Sequence, residues 1–437
     1  MSTPPAGRQA VFFILVTILI DTIGFGIIIP VWPHLMMDIT HLPLGEAAVY
    51  GGYLGLLFAV MQFIFQPIIG NLSDRLGRRP VLLVSLMGLG VDFVIMGLAP
   101  NLSWLVVGRT ISGILAATYS TASAYIADVT PPEKRAASFG LIGGAFGLGF
   151  IIGPALGGLI AGLAAHPPEW LGASFGALLH QTGPRAPFFA AAALSLVNVL
   201  YGIFVLPESL PPERRRPFKL WRANPIGALI HIRKYPAVAW LSVATFFFYV
   251  AHNVNPAVWT YYMVEKFRWT EMQMGFGLMA AGAAMAIVSG VLTGPAVKLF
   301  GETRAVYVGL IGATLGFLIY AFATQGWMIY AAIAVGAIMG IAGPAIRGIM
   351  SEHVPPTEQG ELSGALGMLM SLTFILTPIL YTQAFSLFTI NPHVPHFPGA
   401  PFIVAVIALL IAGLLVKVAM DRIDDHKERA AANAAAE

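Results

Sequence analysis

Long apolar stretches alternate with short polar segments along nearly the whole chain. Twelve stretches reach the roughly 20 residues that an α-helix needs to cross a hydrocarbon layer about 30 Å thick. The first six predicted spans are 10–32, 49–72, 80–99, 103–127, 138–163 and 186–206. The second six are 239–263, 274–297, 304–323, 327–350, 361–388 and 400–420. The pattern predicts an all-α membrane protein with twelve transmembrane helices.

Two polar loops of the first half recur in the second half at one offset. Gly70 and Gly77 recur 224 residues later as Gly294 and Gly301. The other matches are Pro131, Pro132, Gly140 and Pro154, which recur as Pro355, Pro356, Gly364 and Pro378. Repeated loops between membrane spans indicate a duplicated, two-halved transporter. We predict two six-helix bundles, 1–206 and 239–437, the second ending in a short cytoplasmic tail.

Composition supports the membrane assignment and excludes other classes. Of 437 residues, 57% are hydrophobic and 10% are charged, whereas soluble domains carry about 25% charged residues. The net charge of +3 is too small to indicate a nucleic-acid partner. The chain has no cysteine, which excludes disulfides and thiolate metal sites.

The basic residues predict the orientation. Of 24 lysines and arginines, 20 fall on the side shared by both termini and the 207–238 segment, and three fall on the other side. The positive-inside rule then makes both termini and the 207–238 linker cytoplasmic. Apolar residues between the linker's charges favour an amphipathic helix at the membrane surface, although a solvated tether that fixes topology is the simpler interpretation.

The segment GNLSDRLGRRP, from Gly70 to Pro80, is predicted to lie at the cytoplasmic surface. We expect Gly70 to permit close helix approach and Gly77 to permit a tight turn. Charged candidates for a gate are Asp74, Arg75, Arg78, Arg79 and Asp128, the last of which ends the fourth span and can pair with Arg78 or Arg79. A stop-transfer cluster explains the arginines but not the repeated glycines. Asp128 is equally well explained as a helix-end charge in water.

Three ionisable residues in the first half fall inside predicted spans. A charge at mid-bilayer costs about 2.5–3.5 kcal/mol on insertion scales, so each is a candidate for function. Asp21 lies halfway along the first span, with no evident partner. Asp92 and Arg109 lie at equal distances from the turn between the third and fourth spans, where they can form an ion pair. The alternative for that pair is a purely structural role.

Several stretches resemble those of one transporter superfamily. The Gly70–Pro80 segment resembles the loop 2–3 signature of the major facilitator superfamily. The stretch GFIIGPALGG resembles the fifth-helix antiporter motif of its drug/proton exporters, through Gly149, Gly153, Pro154, Gly157 and Gly158. Gly108–Arg109 resembles the fourth-helix arginine motif. From about residue 10 to 420 the chain resembles the bacterial tetracycline/proton antiporters, through IDTIGFGIIIPVWP (20–33), GRTISGI (108–114), GLIGGAFGLGFIIGPALGGLIAG (140–162) and AFATQGWM (321–328).

This resemblance implies roles for the membrane charges. Residues matching Asp21, Asp92 and Arg109 would take part in substrate binding and proton coupling, with the proton as coupling ion and no other cofactor. Those antiporters also carry an aspartate in the ninth helix and many carry a histidine in the eighth, where this chain has Ala313 and Met285. Candidates for a cavity in the second half are His252, Asn253, Asn255 and Trp259, although a structural histidine and lipid-facing aromatic residues are the alternatives.

We therefore expect a proton-coupled efflux antiporter that exports a drug-like amphipathic compound, with tetracycline among the candidates, by alternating access. The alternatives are a proton-coupled carrier of an unidentified metabolite and, more remotely, a polytopic membrane enzyme or receptor. We expect no enzymatic activity, because the sequence has no metal-ligand cluster, nucleotide-binding loop or nucleophile motif. Expected partners are the small-molecule substrate, protons and the lipid bilayer, for a monomer in the bacterial inner membrane.

Overall fold

The computed structural model describes residues 7–215, 234–355 and 358–436. These residues contain helices and turns but no strand. Twelve of their helical segments are long and apolar enough to cross a membrane. The predicted number of spans and the all-α class are therefore confirmed. Large apolar side chains such as Phe204, Leu299 and Leu414 are exposed, as expected where helices face lipid rather than water.

Nine helices lie in the described residues 7–215. They are α1 (Gly7–Ile28), α2 (Trp32–Thr40), α3 (Leu44–Leu76), α4 (Arg78–Leu98), α5 (Leu102–Leu115), α6 (Thr118–Val129), α7 (Pro132–Ala165), α8 (Ala173–Thr182) and α9 (Ala186–Phe204). Short 3₁₀ turns cover Glu169–Leu171, Gly183–Arg185 and Pro212–Arg214. The α8 helix, between the fifth and sixth spans, was not predicted from the sequence.

Nine more helices lie in the described residues 234–355 and 358–436. They are α10 (Pro236–His252), α11 (Val254–Phe267), α12 (Glu271–Ile287), α13 (Thr293–Phe300), α14 (Glu302–Phe322), α15 (Trp327–Gly336), α16 (Ala342–Glu352), α17 (Gln359–Ile390) and α18 (Ala400–Ala436). A π-turn at Val288–Leu292 joins α12 to α13, and a 3₁₀ turn at Ala337–Ile341 joins α15 to α16.

Two predicted spans are broken within the membrane. The fourth consists of α5 and α6, which are separated at Ala116 and Ala117, and the seventh consists of α10 and α11, which are separated at Asn253. Freed backbone groups at membrane depth need new partners. The carbonyl of Ala116 accepts a hydrogen bond from Nε2 of Gln62 at 3.4 Å, so a side chain of α3 satisfies one of them.

Contacts divide the chain into two compact units. The first is Met1–Ala223 with Met263–Gly282, and the second is Asn224–Tyr262 with Ala283–Glu437. The beginning of α12 therefore groups with the first unit. The proposed bundle boundaries after residues 206 and 238 stay predictions. The predicted amphipathic helix of the linker falls mainly on residues 216–233, which lie outside the described residues.

Candidate transport site and gate

A buried ion pair joins the third and fourth spans. The Nη2 of Arg109 on α5 donates to Oδ2 of Asp92 on α4, and the hydroxyl of the neighbouring Ser112 donates to the carbonyl of Arg109 at 3.4 Å. Asp92 is fully buried and Arg109 is 7% exposed. The predicted ion pair between the two residues is confirmed, whereas their roles in transport remain predictions. The pair is nevertheless incompletely satisfied, since Asp92 Oδ1 and Arg109 Nε are buried without a hydrogen-bond partner.

Aromatic rings flank the arginine of this pair. The Cζ of Arg109 lies 5.7 Å from the ring centroid of Trp32 and 5.6 Å from that of Phe58. Within about 6 Å a guanidinium is attracted to the face of a ring. Both rings are half-buried. The two aromatic residues, which the sequence analysis missed, therefore stabilise the cation from elements other than its own helix.

Asp21 on α1 lies in different surroundings. The side chain of Thr118, the first residue of α6, lies beside its carboxylate. Asp21 is half-buried, in contrast to Asp92. The free N–H groups at a helix N-terminus favour a nearby negative charge. The break in the fourth span thus places a donor side chain and the beginning of a helix beside a membrane carboxylate that sequence reasoning left without a partner.

The charged residues of the loop between α3 and α4 form a cluster around Arg78. Its guanidinium lies 2.5 Å from Asp74 Oδ1 and donates from Nε to Asp128 Oδ2 at 3.0 Å. It also donates from Nη1 to Ser73 Oγ at 2.7 Å. Arg78 is therefore the partner of Asp128. Arg79 instead donates to the carbonyl oxygens of Gly202 and Ile203 on α9, and Arg75 is exposed.

The glycines of this loop have unequal roles. Gly77 ends α3 with φ 108° and ψ 160°, which confirms the predicted tight turn. The expectation that Gly70 permits close helix approach is wrong, because no described atom of another helix lies within 4 Å of the position of a β-carbon there. Gly70 faces open space.

The beginning of the linker packs on this loop. The carboxylate of Glu208 accepts from the backbone N–H of Arg78 at 2.8 Å and of Arg79 at 3.3 Å, and so caps the N-terminus of α4. Ser209 Oγ donates to Asp128 at 3.2 Å, and Tyr125 donates to the carbonyl of Pro207 at 3.0 Å. A purely solvated tether is therefore wrong for residues 207–210, which form part of the charged cluster.

Glycines of the antiporter motif allow α7 to approach two helices. A β-carbon at Gly149 would lie 2.5 Å from Thr22 Cβ, and one at Gly153 would lie 2.8 Å from Gly26 Cα. Gly157 is similarly close to the backbone of Ile27. Gly158 faces the other way and contacts the backbone of α12 at Glu271 and Met272. Pro154 lies within α7 and packs against Gly26.

The predicted cavity residues of the second unit lie at and just after the α10–α11 break, in different surroundings. Asn253 is buried at the α10–α11 break and donates to Thr373 Oγ1 at 3.1 Å. His252 is half-buried and stacks on Phe248, with 6.5 Å between centroids. Asn255 is half-buried, with Oδ1 unpaired. Trp259 is 3% exposed and hydrogen-bonds to Tyr320, so it lies in the packed interior.

One basic residue of the second unit was given no role by the sequence analysis. Arg347 on α16 lines a small cavity together with Phe248 and Tyr249 of α10. A group of three or more potential metal ligands does not occur in the part of the chain that the structure describes. In the described part of the second unit, the candidates therefore supply aromatic faces, amides and the cation of Arg347.

Comparisons with known proteins match this arrangement. A family model described as the Major Facilitator Superfamily matches residues 14–378 and 241–436. The chain is 38% identical to the class C tetracycline resistance protein of Escherichia coli, over 87% of this chain and 90% of that protein. It is 35% identical to the class G protein of Vibrio anguillarum, over 87% and 91%. The crystal structure of the nucleoside transporter NupG aligns with a TM-score of 0.71 at 12% identity, covering 93% of this chain and 98% of that one; this last likeness concerns the fold alone.

Proposed function

The chain belongs to the major facilitator superfamily, and on that premise we propose that it is a proton-coupled antiporter that exports a drug-like amphipathic compound by alternating access. The resemblance first seen in the Gly70–Pro80 loop is confirmed by these matches. The protein is a multi-pass inner-membrane protein with twelve spans. Orientation with both termini cytoplasmic, a monomeric state and the proton as the single coupling ion are parts of the same proposal.

The observation that carries the proposal is the contrast between two membrane carboxylates. Asp92 is fully buried and paired with Arg109, and removing one partner of a buried pair leaves an uncompensated charge at a cost of about 3–5 kcal/mol. Asp21 is half-buried, and the side chain beside it is the neutral hydroxyl of Thr118. It can gain or lose a proton without breaking an ion pair. Asp21 is therefore the proposed proton site, and the Asp92–Arg109 pair shapes the substrate site beside it.

The proposed gate is the cluster around Arg78. Arg78 is held by Asp74 and Asp128, whose side chains are 37% and 20% exposed. Ion pairs that remain in contact with water are worth at most about 1 kcal/mol each. Such contacts close a barrier without making it too stable to open in each transport cycle. Arg75 and Arg79 are placed at its rim, where Arg79 holds the end of α9.

The substrate class follows from the relatives and from the aromatic surroundings. The relatives are named for tetracycline resistance, so tetracycline belongs among the first compounds to test. Trp32 and Phe58 offer flat apolar faces beside Arg109, as drug sites commonly do. The second unit supplies His252, Asn253 and Asn255 as polar candidates. The positions at which the tetracycline antiporters carry an aspartate and a histidine hold Ala313 and Met285, which are not ionisable.

Transport by purified protein in liposomes with an imposed pH gradient tests the proposal. Several drug classes are offered, and proton flux is recorded with each. The Asp21→Asn variant is expected to lose proton-driven export while keeping substrate counterflow, because its site can no longer change charge. The matched control is Asp38→Asn, which removes an exposed carboxylate paired with Arg185 and should leave both activities intact.

The other outcomes are equally informative. Undiminished proton-driven export by Asp21→Asn would contradict the coupling role. Proton-linked movement of a metabolite but of no drug would favour the carrier alternative. Chemical alteration of the compound during counterflow would identify an enzyme instead.

A further inference from the structure

A histidine–glutamate ion pair lies at the end of the first unit that is opposite to the Arg78 cluster. At this end α1 ends and α3 begins, whereas α3 ends and α4 begins at the Arg78 cluster. The Nδ1 of His34 on α2 lies 3.0 Å from Oε1 of Glu271, the first residue of α12. That ring nitrogen is buried and its contact with Glu271 lacks hydrogen-bond geometry, so the pair depends on the charge of the protonated imidazole. The two side chains are 31% and 24% exposed overall. The pair is therefore reachable from water but shielded at the contact.

The backbone beneath this pair packs through glycines. A β-carbon at Gly158 of α7 would lie 3.0 Å from Cα of Met272. One at Gly275 of α12 would lie 3.2 Å from Cα of Gly158. Small residues let two helices meet along their backbones, and that close fit is lost as soon as the helices separate slightly. The beginning of α12 thus packs directly against α7. The ion pair between His34 and Glu271 connects the same part of α12 to α2.

We infer that His34 and Glu271 form a latch that holds the beginning of α12 against α2 and α7 at the extracytoplasmic face. The inference rests on the proposed alternating-access function, because a carrier of that kind needs a closable barrier at each face. The Arg78 cluster serves one face, and the latch serves the other. His34 and Glu271 act as positioning residues and are not assigned to the substrate.

The chemistry of histidine makes this latch sensitive to pH. Histidine changes charge between about pH 5 and 8, and its charged form pairs with a carboxylate. The latch is therefore strongest when the pH at that face is low and weakens as the pH rises. The other titratable or charged side chains at this end of the unit are Asp38 and His41 at the end of α2, Glu46, Tyr50 and Tyr53 at the beginning of α3, His166, Glu169, His180 and Arg185 between α7 and α9, and Glu265, Lys266 and Arg268 before α12. Of these, Asp38 pairs with Arg185 at 2.7 Å, and His180 contacts the carbonyl of Ala164 at 3.4 Å.

The absence of cysteine from the chain allows a direct test by single-cysteine labelling. Met272→Cys places a thiol on α12 where the native side chain packs against Gly162. Its rate of reaction with a membrane-impermeant maleimide is measured in proteoliposomes with reagent on either side. Because thiol reactivity itself rises with pH, each rate is divided by that of Ser174→Cys, an exposed position on α8, at the same pH.

The latch predicts a distinct pattern for each background. With His34 and Glu271 intact, the normalised rate should rise about three- to fivefold from pH 5.5 to 8, the effect expected for a partly exposed ion pair. When His34→Arg is combined with Met272→Cys, the labelling rate should stay low at every pH, because the arginine side chain is always charged. Added Glu271→Gln should keep it high at every pH. Asp38→Asn, which removes a neighbouring pair on the same helix, should follow the intact pattern.

Equal normalised rates and equal pH profiles in all backgrounds would overturn the latch. His34→Gln serves as a second unlatched variant should Glu271→Gln fail to fold, and it should also give a high, flat profile. Labelling needs no substrate, so this test is independent of export. If no drug is exported but the pattern appears, the latch stands and the proposed export fails. If export is proton-driven but the profiles are identical, the export proposal stands and the latch fails.

Discussion

The carboxylate of Glu208 occupies the space that a side chain at Gly77 would need. A β-carbon on residue 77 would lie 2.8 Å from Cδ of Glu208, closer than such carbons approach one another. From this position the carboxylate reaches the first backbone N–H groups of α4. The glycine at the end of α3 is therefore required twice, for its backbone conformation and for the approach of a residue from the end of the sixth span.

Gly77→Ala should destabilise the protein more than the equivalent change in the second repeat. Gly77 and Gly301 both have backbone angles that only glycine adopts readily, which costs another residue about 1–3 kcal/mol. Only at Gly77 does the added methyl also displace a carboxylate; around Gly301 no described atom lies within 4 Å. Thermal unfolding in detergent should rank the midpoints as Gly70→Ala highest, then Gly301→Ala, then Gly77→Ala. Equal midpoints for the last two would show that the approach of Glu208 contributes nothing.

Glu208→Ala should loosen the Arg78 cluster. The change removes the acceptor of the N–H groups of Arg78, Arg79, Ser209 and Leu210. Loss of a helix cap costs about 0.5–2 kcal/mol, so we expect a lower unfolding midpoint and slower export. The unfolding midpoint and export rate of Glu208→Gln should lie between those of the unchanged protein and Glu208→Ala, because glutamine keeps one acceptor oxygen but no charge. Glu213→Ala is the control, since Glu213 is exposed on a nearby 3₁₀ turn; a Glu208→Ala variant that behaves like it would contradict the cap.

The twelve spans and the Asp92–Arg109 pair could be predicted from the sequence because their signals are local. A span is one continuous apolar run, and the pair is set by equal distances from one turn. The break at Ala116 carries no such signal, since alanine is the best helix former and the carbonyl finds its partner in Gln62 of another helix. Because α6 begins at Thr118 directly after that break, the position of Thr118 beside Asp21 could not be predicted either. Glu208 meets Arg78 across 130 residues of chain, a pairing that only the folded arrangement reveals.

Gly108→Ala should disrupt the buried pair without touching either charge. A β-carbon at residue 108 would overlap Oδ1 of Asp92 and lie 3.1 Å from Cγ2 of Ile95. The carboxylate must then move away from Arg109, and breaking a buried pair costs about 3–5 kcal/mol. We expect a large fall in unfolding midpoint and loss of export. Gly147→Ala is the control, because no described atom lies near its β-carbon position. A Gly108→Ala protein as stable as this control would show that the pair tolerates displacement.

Ala313→Asp tests whether a missing carboxylate in the ninth span limits the substrate range. Ala313 is fully buried on α14. Its neighbours in sequence, Gly312 and Gly316, meet Ile338 and Gly336 so closely that β-carbons there would lie 2.6 Å and 2.5 Å from them. A carboxylate introduced into this packed region has little room. In membrane helices it costs about 2.5–3.5 kcal/mol even before packing is counted.

We therefore expect Ala313→Asp to lower the yield of folded protein on size-exclusion chromatography and its unfolding midpoint, without adding any drug to the exported range. Ala313→Ser is the matched control, because a serine hydroxyl is small and can hydrogen-bond to the carbonyl one turn earlier; it should fold and export normally. A stable Ala313→Asp variant that gained tetracycline export would mean that α14 can move to admit the charge. The second unit would then hold a latent ionisable site, and the identity of residue 313, rather than the packing around it, would set the substrate range.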